Sequence, residues 1–294
     1  SLKRITIMKK IIFAAAMVAM MCAGNVVYAQ VKKSEPVKTE QTASKKAESS
    51  KKACKETKAK KAESAKAVID YSFHGVLAYD VDEQKINDMK DLIKDGIESY
   101  KIYMTYGQKI DDKGSIKALK VAKENEAIIA VHPENHDTIE YLKKYYVKKG
   151  MIAPIYHAKS RPEECEAEAI NRIINIAHLV GDAPIYIVHL SSNMGLDYVK
   201  MARGRGQKNI YVETCTQYLV LDEEKYNLPG TEGLKYIMSP PLRSKFNQEK
   251  LWSGIRNGDI QVIATDHCPF SYEKEKIPMG KDDFSKCPNG SPGV

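Results

Sequence analysis

The sequence predicts a parallel α/β fold, because six strand-like apolar runs alternate with helix-like segments from Ala67 to the C-terminus. Residues 67–73 ("AVIDYSF") read as the first strand, followed by a helical pattern near 83–94. The second strand, "IESYKIYM" (97–104), sets Ile97, Ser99, Lys101 and Tyr103 on one face and Tyr100, Ile102 and Met104 on the other, since side chains alternate along a strand. A helix at 114–125, a strand at 127–131 and a helix at 137–149 come next. Residues 162–180 form a long amphipathic helix with Pro162 suited to its first turn. Strands at 183–190, 209–215 and 260–266 are separated by helices at 194–203 and 247–257. Either an open doubly wound sheet or a (β/α)8 barrel satisfies this order. No GxGxxG or P-loop follows any strand, which weakens a nucleotide-binding reading.

The N-terminal quarter differs in character. Residues 1–30 join a basic "MKK" to an apolar run and end in "VVYA", the plan of a secretory signal peptide cleaved after Ala29 and too short for a stable membrane span. "SLKRITI" ahead of Met8 suggests that translation starts at Met8. Residues 31–66 hold twelve lysines against five glutamates and almost no large apolar side chain, so they read as a disordered tail. The overall charge of +8 is concentrated there. Residues 67–294 carry thirty basic against thirty-three acidic residues, a net −3, with no nucleic-acid footprint. Six cysteines at 22, 54, 165, 215, 268 and 287 show no CxxC pair or disulfide framework. That usage suits a reducing compartment, against the export signal in front of it.

Polar residues at C-terminal strand ends are the catalytic candidates of a β/α barrel. Lys101 lies in the second strand, His132 closes the third, His189 the fourth and Asp266 the sixth. The ordinary reading of Lys101 is an edge lysine extending its charge into water, and a lone strand-end histidine is usually structural. Four such residues in equivalent places of one sheet call for chemistry instead. Imidazole and carboxylate are ordinary zinc ligands. A neutral lysine amine can add CO₂, giving a carbamate whose two oxygens can bridge two metal ions.

"SYKIYMTY", "VHPEN", "IVHLSS", "SPPLR", "ATDHCPF" and "GKDDFSKCPNGSPGV" resemble the dihydropyrimidinase and hydantoinase family of cyclic amidohydrolases over residues 67–294. The resemblance implies a metal-dependent (β/α)8 TIM barrel that opens cyclic amides such as dihydropyrimidines and hydantoins. It further implies two divalent ions, zinc foremost, bridged by carboxylated Lys101, with His132 and His189 on one ion. Asp266 would bind the other and act as the base, and Tyr106 would stabilise the oxyanion. Ser239 and Asn289 would hold the substrate's amide edge. It also implies a cytoplasmic homotetramer acting on a small molecule. His74, His136, His157 and His178 keep ordinary readings, with His157 in a loop and His178 in a helix, and His267 is expected to support Asp266.

The family's first barrel strand carries a His-x-His pair, and this sequence contains none. The expectation is an incomplete barrel of about six strands, cut or joined upstream of Ala67 and again at "SPGV", with one metal site short of ligands and activity impaired. A non-catalytic scaffold of the same fold, an exported basic-tail binding protein, and allantoinase or dihydroorotase activity are the alternatives. Retention of Lys101, His132, His189 and Asp266 together argues against the scaffold.

Overall fold

The computed structural model describes residues 72–293. The signal peptide of 1–30, the lysine-rich 31–66 segment, Cys22, Cys54 and the first five residues of the expected 67–73 strand lie outside the described residues.

Six strands form one sheet: β1 (Gly75–Val76), β2 (Ser99–Tyr103), β3 (Ile128–His132), β4 (Ile185–Ile187), β5 (Ile210–Cys215) and β6 (Val262–Ala264). They pair in chain order, and every pairing is parallel. A doubly wound sheet reverses its strand order at a switch point, and this one does not. The open alternative is therefore set aside in favour of an arc wound in one direction, as in the wall of a β/α barrel. Among the described residues β6 pairs only with β5 and β1 only with β2. Val76 and Ile263, on these edge strands, are 57% and 46% exposed.

The first expected strand needs correction. Ser72 and Phe73 are not in a strand, and pairing begins at Gly75, opposite Tyr100. A Cβ at Gly75 would lie 2.4 Å from the Tyr100 ring, so the approach of β1 to β2 requires glycine here. Strands β4 and β6 are also shorter than the 183–190 and 260–266 runs. The chain beyond β4 still donates Val188 N–H to Val131 O (3.3 Å) and Leu190 N–H to Glu213 O (2.7 Å), but His189 between them turns to φ 41°. Asp266 likewise sits at φ 44° beyond β6. The apolar runs continue, while the regular ladder stops at these turns.

The helices follow the expected positions within a few residues: α1 (Glu83–Lys94), α2 (Asp112–Glu124), α3 (His136–Lys148), α5 (Glu163–Leu179), α6 (Asn193–Gly204) and α8 (Lys245–Arg256). Several begin at short polar residues whose side chains take an otherwise orphaned backbone N–H. Asp82 accepts from Lys85 N, Asp111 from Gly114 N, Asn135 from Thr138 N and Ser192 from Gly195 N. The short helices α4 (Ile155–Lys159), α7 (Thr216–Val220) and α9 (Ile277–Gly280), and the single turns around them, lack a long apolar period and escape the sequence pattern. No helix of the described residues is long and apolar enough to cross a membrane.

Strand alternation divides the buried apolar residues into two groups. Ile102, Ile129, Val131, Ile185, Ile187, Ile210 and Val212 face the helices and join Leu119, Ile170, Ile173, Leu196 and Val199 in the main core. Ala130, Tyr186, Val188, Tyr211 and Val262 form a smaller cluster on the opposite, inner face. Lys101 belongs to that inner face, in register with Ala130, which pairs with Tyr186 as Tyr186 pairs with Tyr211. Ile129 is fully buried in the main core. Replacing it with alanine is expected to cost about 2–5 kcal/mol in urea unfolding, because the lost contacts leave a cavity that only partly collapses.

Candidate active site

Strand ends bring the sequence-selected residues together. His132 closes β3, His189 follows β4, and their rings lie 4.4 Å apart edge to face. Both are nearly inaccessible. Burial lowers the pKa of each below the ordinary histidine range, and the Lys101 charge adds to the effect, so both rings are neutral near pH 7. His189 Nδ1 is buried without a hydrogen-bond partner. That is the condition of a ring nitrogen kept for a ligand.

Lys101 lies behind this pair with its Nζ 5.5 Å from the Tyr103 ring. Burial pulls its ammonium down to about 8, against the opposing attraction of the Asp266 and Glu213 carboxylates. A substantial neutral fraction near neutral pH is what addition of CO₂ would need. Burial also raises the Asp266 carboxyl above its ordinary range, opposed by Lys101 and His132. Tyr106 stacks 5.0 Å from His132, and burial pushes its phenol upward, so it remains an O–H donor. The Ser239 side chain is near that hydroxyl, with its Oγ buried and without a hydrogen-bond partner. Asn289 belongs to a stretch docked beside the chain leaving Asp266: Gly290 N–H donates to Ile237 O (3.0 Å) and Cys268 N–H to Ser291 O (3.1 Å).

The backbone adds an independent sign. Tyr106 (φ 67°), His189 (φ 41°) and Asp266 (φ 44°) occupy the left-handed region that non-glycine residues avoid. Such conformations cost on the order of 1–3 kcal/mol each and gather at sites where a side chain must be aimed. These three are half of the non-glycine residues at positive φ among those described.

The remaining histidines separate from this group in different ways. His74 Nδ1 meets Ser99 Oγ at 2.6 Å, and burial, with Lys101 nearby, holds its ring at about 4. His136 starts α3, His178 pairs with Asp182 on the surface, and His267 accepts from Gly293 N–H (3.3 Å). The loop expectation for His157 is wrong: it lies in α4, buried, with Nε2 donating to Met238 O (2.7 Å).

Three charged residues of the site escaped the sequence reading. Glu213 accepts from the Tyr186 hydroxyl and from His189 N–H (3.0 Å), and burial pushes its carboxyl up to about 7. Its inner-face position in "YVETC" was a legible signal. Glu134, two residues past His132, is fully buried against Arg161. Nothing in the local sequence around Arg161 announces that partnership.

Among the described residues, no three His, Cys, Asp or Glu side chains stand ready to hold a metal ion. The fit to a divalent cation therefore rests on two neutral imidazoles in contact, one with a free ring nitrogen, beside the Lys101 amine and the Asp266 carboxylate.

No family model matches the chain. It is 48% identical over 229 residues to the D-phenylhydantoinase of Escherichia coli O1:K1, covering 78% of this chain and 49% of that protein. The D-hydantoinase of Bacillus sp. AR9 superimposes with a TM-score of 0.74 at 43% identity, as does the dihydropyrimidinase of Brevibacillus agri NCHU1002. Each structure covers 77% of this chain and is itself covered over 49% of its length. The chain thus spans about half the length of the relatives it matches.

His157 supplies a pH test of the packing behind the site. Burial, with Arg161 nearby, lowers it from 6.5 to about 3. The unfolded chain takes up this proton before the folded one, so the contribution to stability is complete above 6.5 and is lost as pH falls toward 3. In urea unfolding at a series of pH values, His157→Gln should lower the acid-side slope by up to one proton. An unchanged slope would mean that His157 is not the buried, uncharged group described.

Proposed function

The chain belongs to the D-hydantoinase and dihydropyrimidinase family over the residues it shares with these relatives, and on that premise we propose that its site hydrolyses the ring amide of small cyclic amides. The observation that carries the reading is the convergence of Lys101, His132, His189 and Asp266, with both imidazoles neutral and the lysine amine lowered to about 8.

These four residues are the ones that would hold divalent metal, zinc by the resemblance, with Lys101 as its carbamate. Bound metal would supply an acidified water and a polarised carbonyl. Asp266, its basicity raised by burial, takes the proton of the attacking water at a carboxylate oxygen. The Tyr106 O–H donates to the oxygen of the attacked carbonyl as negative charge develops there. Ser239, beside that hydroxyl, and Asn289 hold the amide edge of the ring. Dihydropyrimidines and hydantoins are the substrate class.

This sequence holds no His-x-His pair, so a metal held by Asp266 would lack the imidazoles that pair supplies in the family, and turnover by the chain alone is expected to be low. Residues 1–30 read as an export leader, and the family resemblance implies a homotetramer.

Purified chain supplied with Zn²⁺ or Mn²⁺ should open dihydrouracil or hydantoin far more slowly than the E. coli D-phenylhydantoinase does. Asp266→Asn should lower the residual rate by about 10²–10⁴-fold, the usual contribution of a positioned base. Turnover equal to that relative's refutes the impairment, and a rate untouched by Asp266→Asn refutes the assigned base. A protein that takes up neither metal is better described as a scaffold.

A further inference from the structure

We propose that Glu134 and Arg161 are positioning residues that fix His132 in its Nε2–H tautomer and hold Tyr106 against it, making Nδ1 the atom His132 offers to a divalent cation. The cation belongs to the hydrolase reading above, and the proposal rests on that reading.

The geometry centres on one oxygen. Glu134 Oε2 lies 2.7 Å from His132 Nε2 and 2.7 Å from Arg161 Nη1. Glu134 is fully buried, and His132 and Arg161 are 3% and 5% exposed, so water does not compete for these bonds. An ionised carboxylate only accepts, and the guanidinium only donates. With the Arg161 guanidinium donating to that same oxygen, Glu134 serves as the acceptor, and the proton between it and His132 sits on Nε2. The lone pair of the ring is then at Nδ1.

Arg161 couples this to the proposed oxyanion donor. Its guanidinium carbon lies 5.4 Å from the centre of the Tyr106 ring, and that ring lies 5.0 Å from His132. One cation thus sets the carboxylate behind the imidazole and packs on the phenol beside it. Arg161 is itself anchored: its carbonyl accepts from Arg243 Nη1, while Arg243 Nε donates to Ser191 Oγ (3.1 Å). Ser191 in turn gives its N–H and hydroxyl to Glu166 at 2.9 and 3.0 Å. Ser191 is two residues past His189. The chain of contacts therefore reaches the backbone that carries the second imidazole.

A buried Glu–Arg pair can be merely structural, and its net effect on stability is often small. What a structural pair would not do is select a histidine tautomer. Histidine ligands are oriented through the ring nitrogen that does not touch the metal, and loss of that partner typically weakens metal binding by about 10–100-fold.

The test uses the whole chain with ¹⁵N-labelled histidine. Two-bond ¹H–¹⁵N spectra of the metal-free protein, assigned with His132→Gln, should show His132 protonated at Nε2 and bare at Nδ1. A wild-type His132 protonated at Nδ1 overturns the proposal without reference to any variant. Titration with Co²⁺ alone, followed by its visible absorption, should then show Glu134→Gln binding about 10–100-fold more weakly. Arg161→Lys, which keeps the charge but loses the planar fork, should fall between the two. Equal Co²⁺ affinity in wild type and a folded Glu134→Gln also overturns it. If wild type binds no Co²⁺, the metal-dependent reading fails and takes the offered-ligand role with it, while the spectra still show whether Glu134 selects the tautomer.

Discussion

The half-buried Lys101 amine on the inner face of the sheet is the constraint around which the open end of this molecule is arranged. An ammonium partly withdrawn from water is costly unless opposite charge accompanies it. Asp266, beyond β6, and Glu213, in β5, supply that charge. The compensation is partial, since Lys101 still falls to about 8 and Glu213 rises to about 7. The same positive charge presses on His74, His132 and His189, which burial has already made reluctant to ionise. The result is a site whose imidazoles are uncharged and whose Asp266 and Glu213 carboxylates are unusually basic.

A parallel sheet provides this arrangement cheaply because its two faces do different work. Main-core isoleucines and valines pack the outer face against α2, α5 and α6 and set the strands rigidly. The inner face has only a small apolar cluster, so polar side chains can occupy the positions above it. Where regular pairing ends, Tyr106, His189 and Asp266 adopt left-handed backbone that aims them away from the course of their strands. Rigid strands hold these turns in place, and a flexible loop would relax them.

Much of this was legible residue by residue. The 3.6 and 2.0 periods located six helices to within a few residues, because each helix buries one stripe and each strand alternates. Lys101, His132, His189 and Asp266 could be picked out as polar residues interrupting apolar runs. Glu213 was equally visible on the inner parity of β5, yet a single acidic residue in a strand carries little weight alone. Arg161 was not legible, since its role depends on α4 and the following turn folding back onto Glu134 and Tyr106. The buried place of His157 was hidden likewise, because its partner, Met238 O, lies 81 residues away.

Taken alone, the sequence determined the class of fold, the order of elements and the residue types able to bind metal, because periodicity and composition are local properties of the chain. Only the tertiary structure decided that the strands pair in sequential order, that Glu134 joins His132 to Arg161, and that Lys101 sits close enough to Asp266 and Glu213 to shift all three. The reason is that pairing and pKa depend on distances across the sheet, between residues that are far apart along the chain.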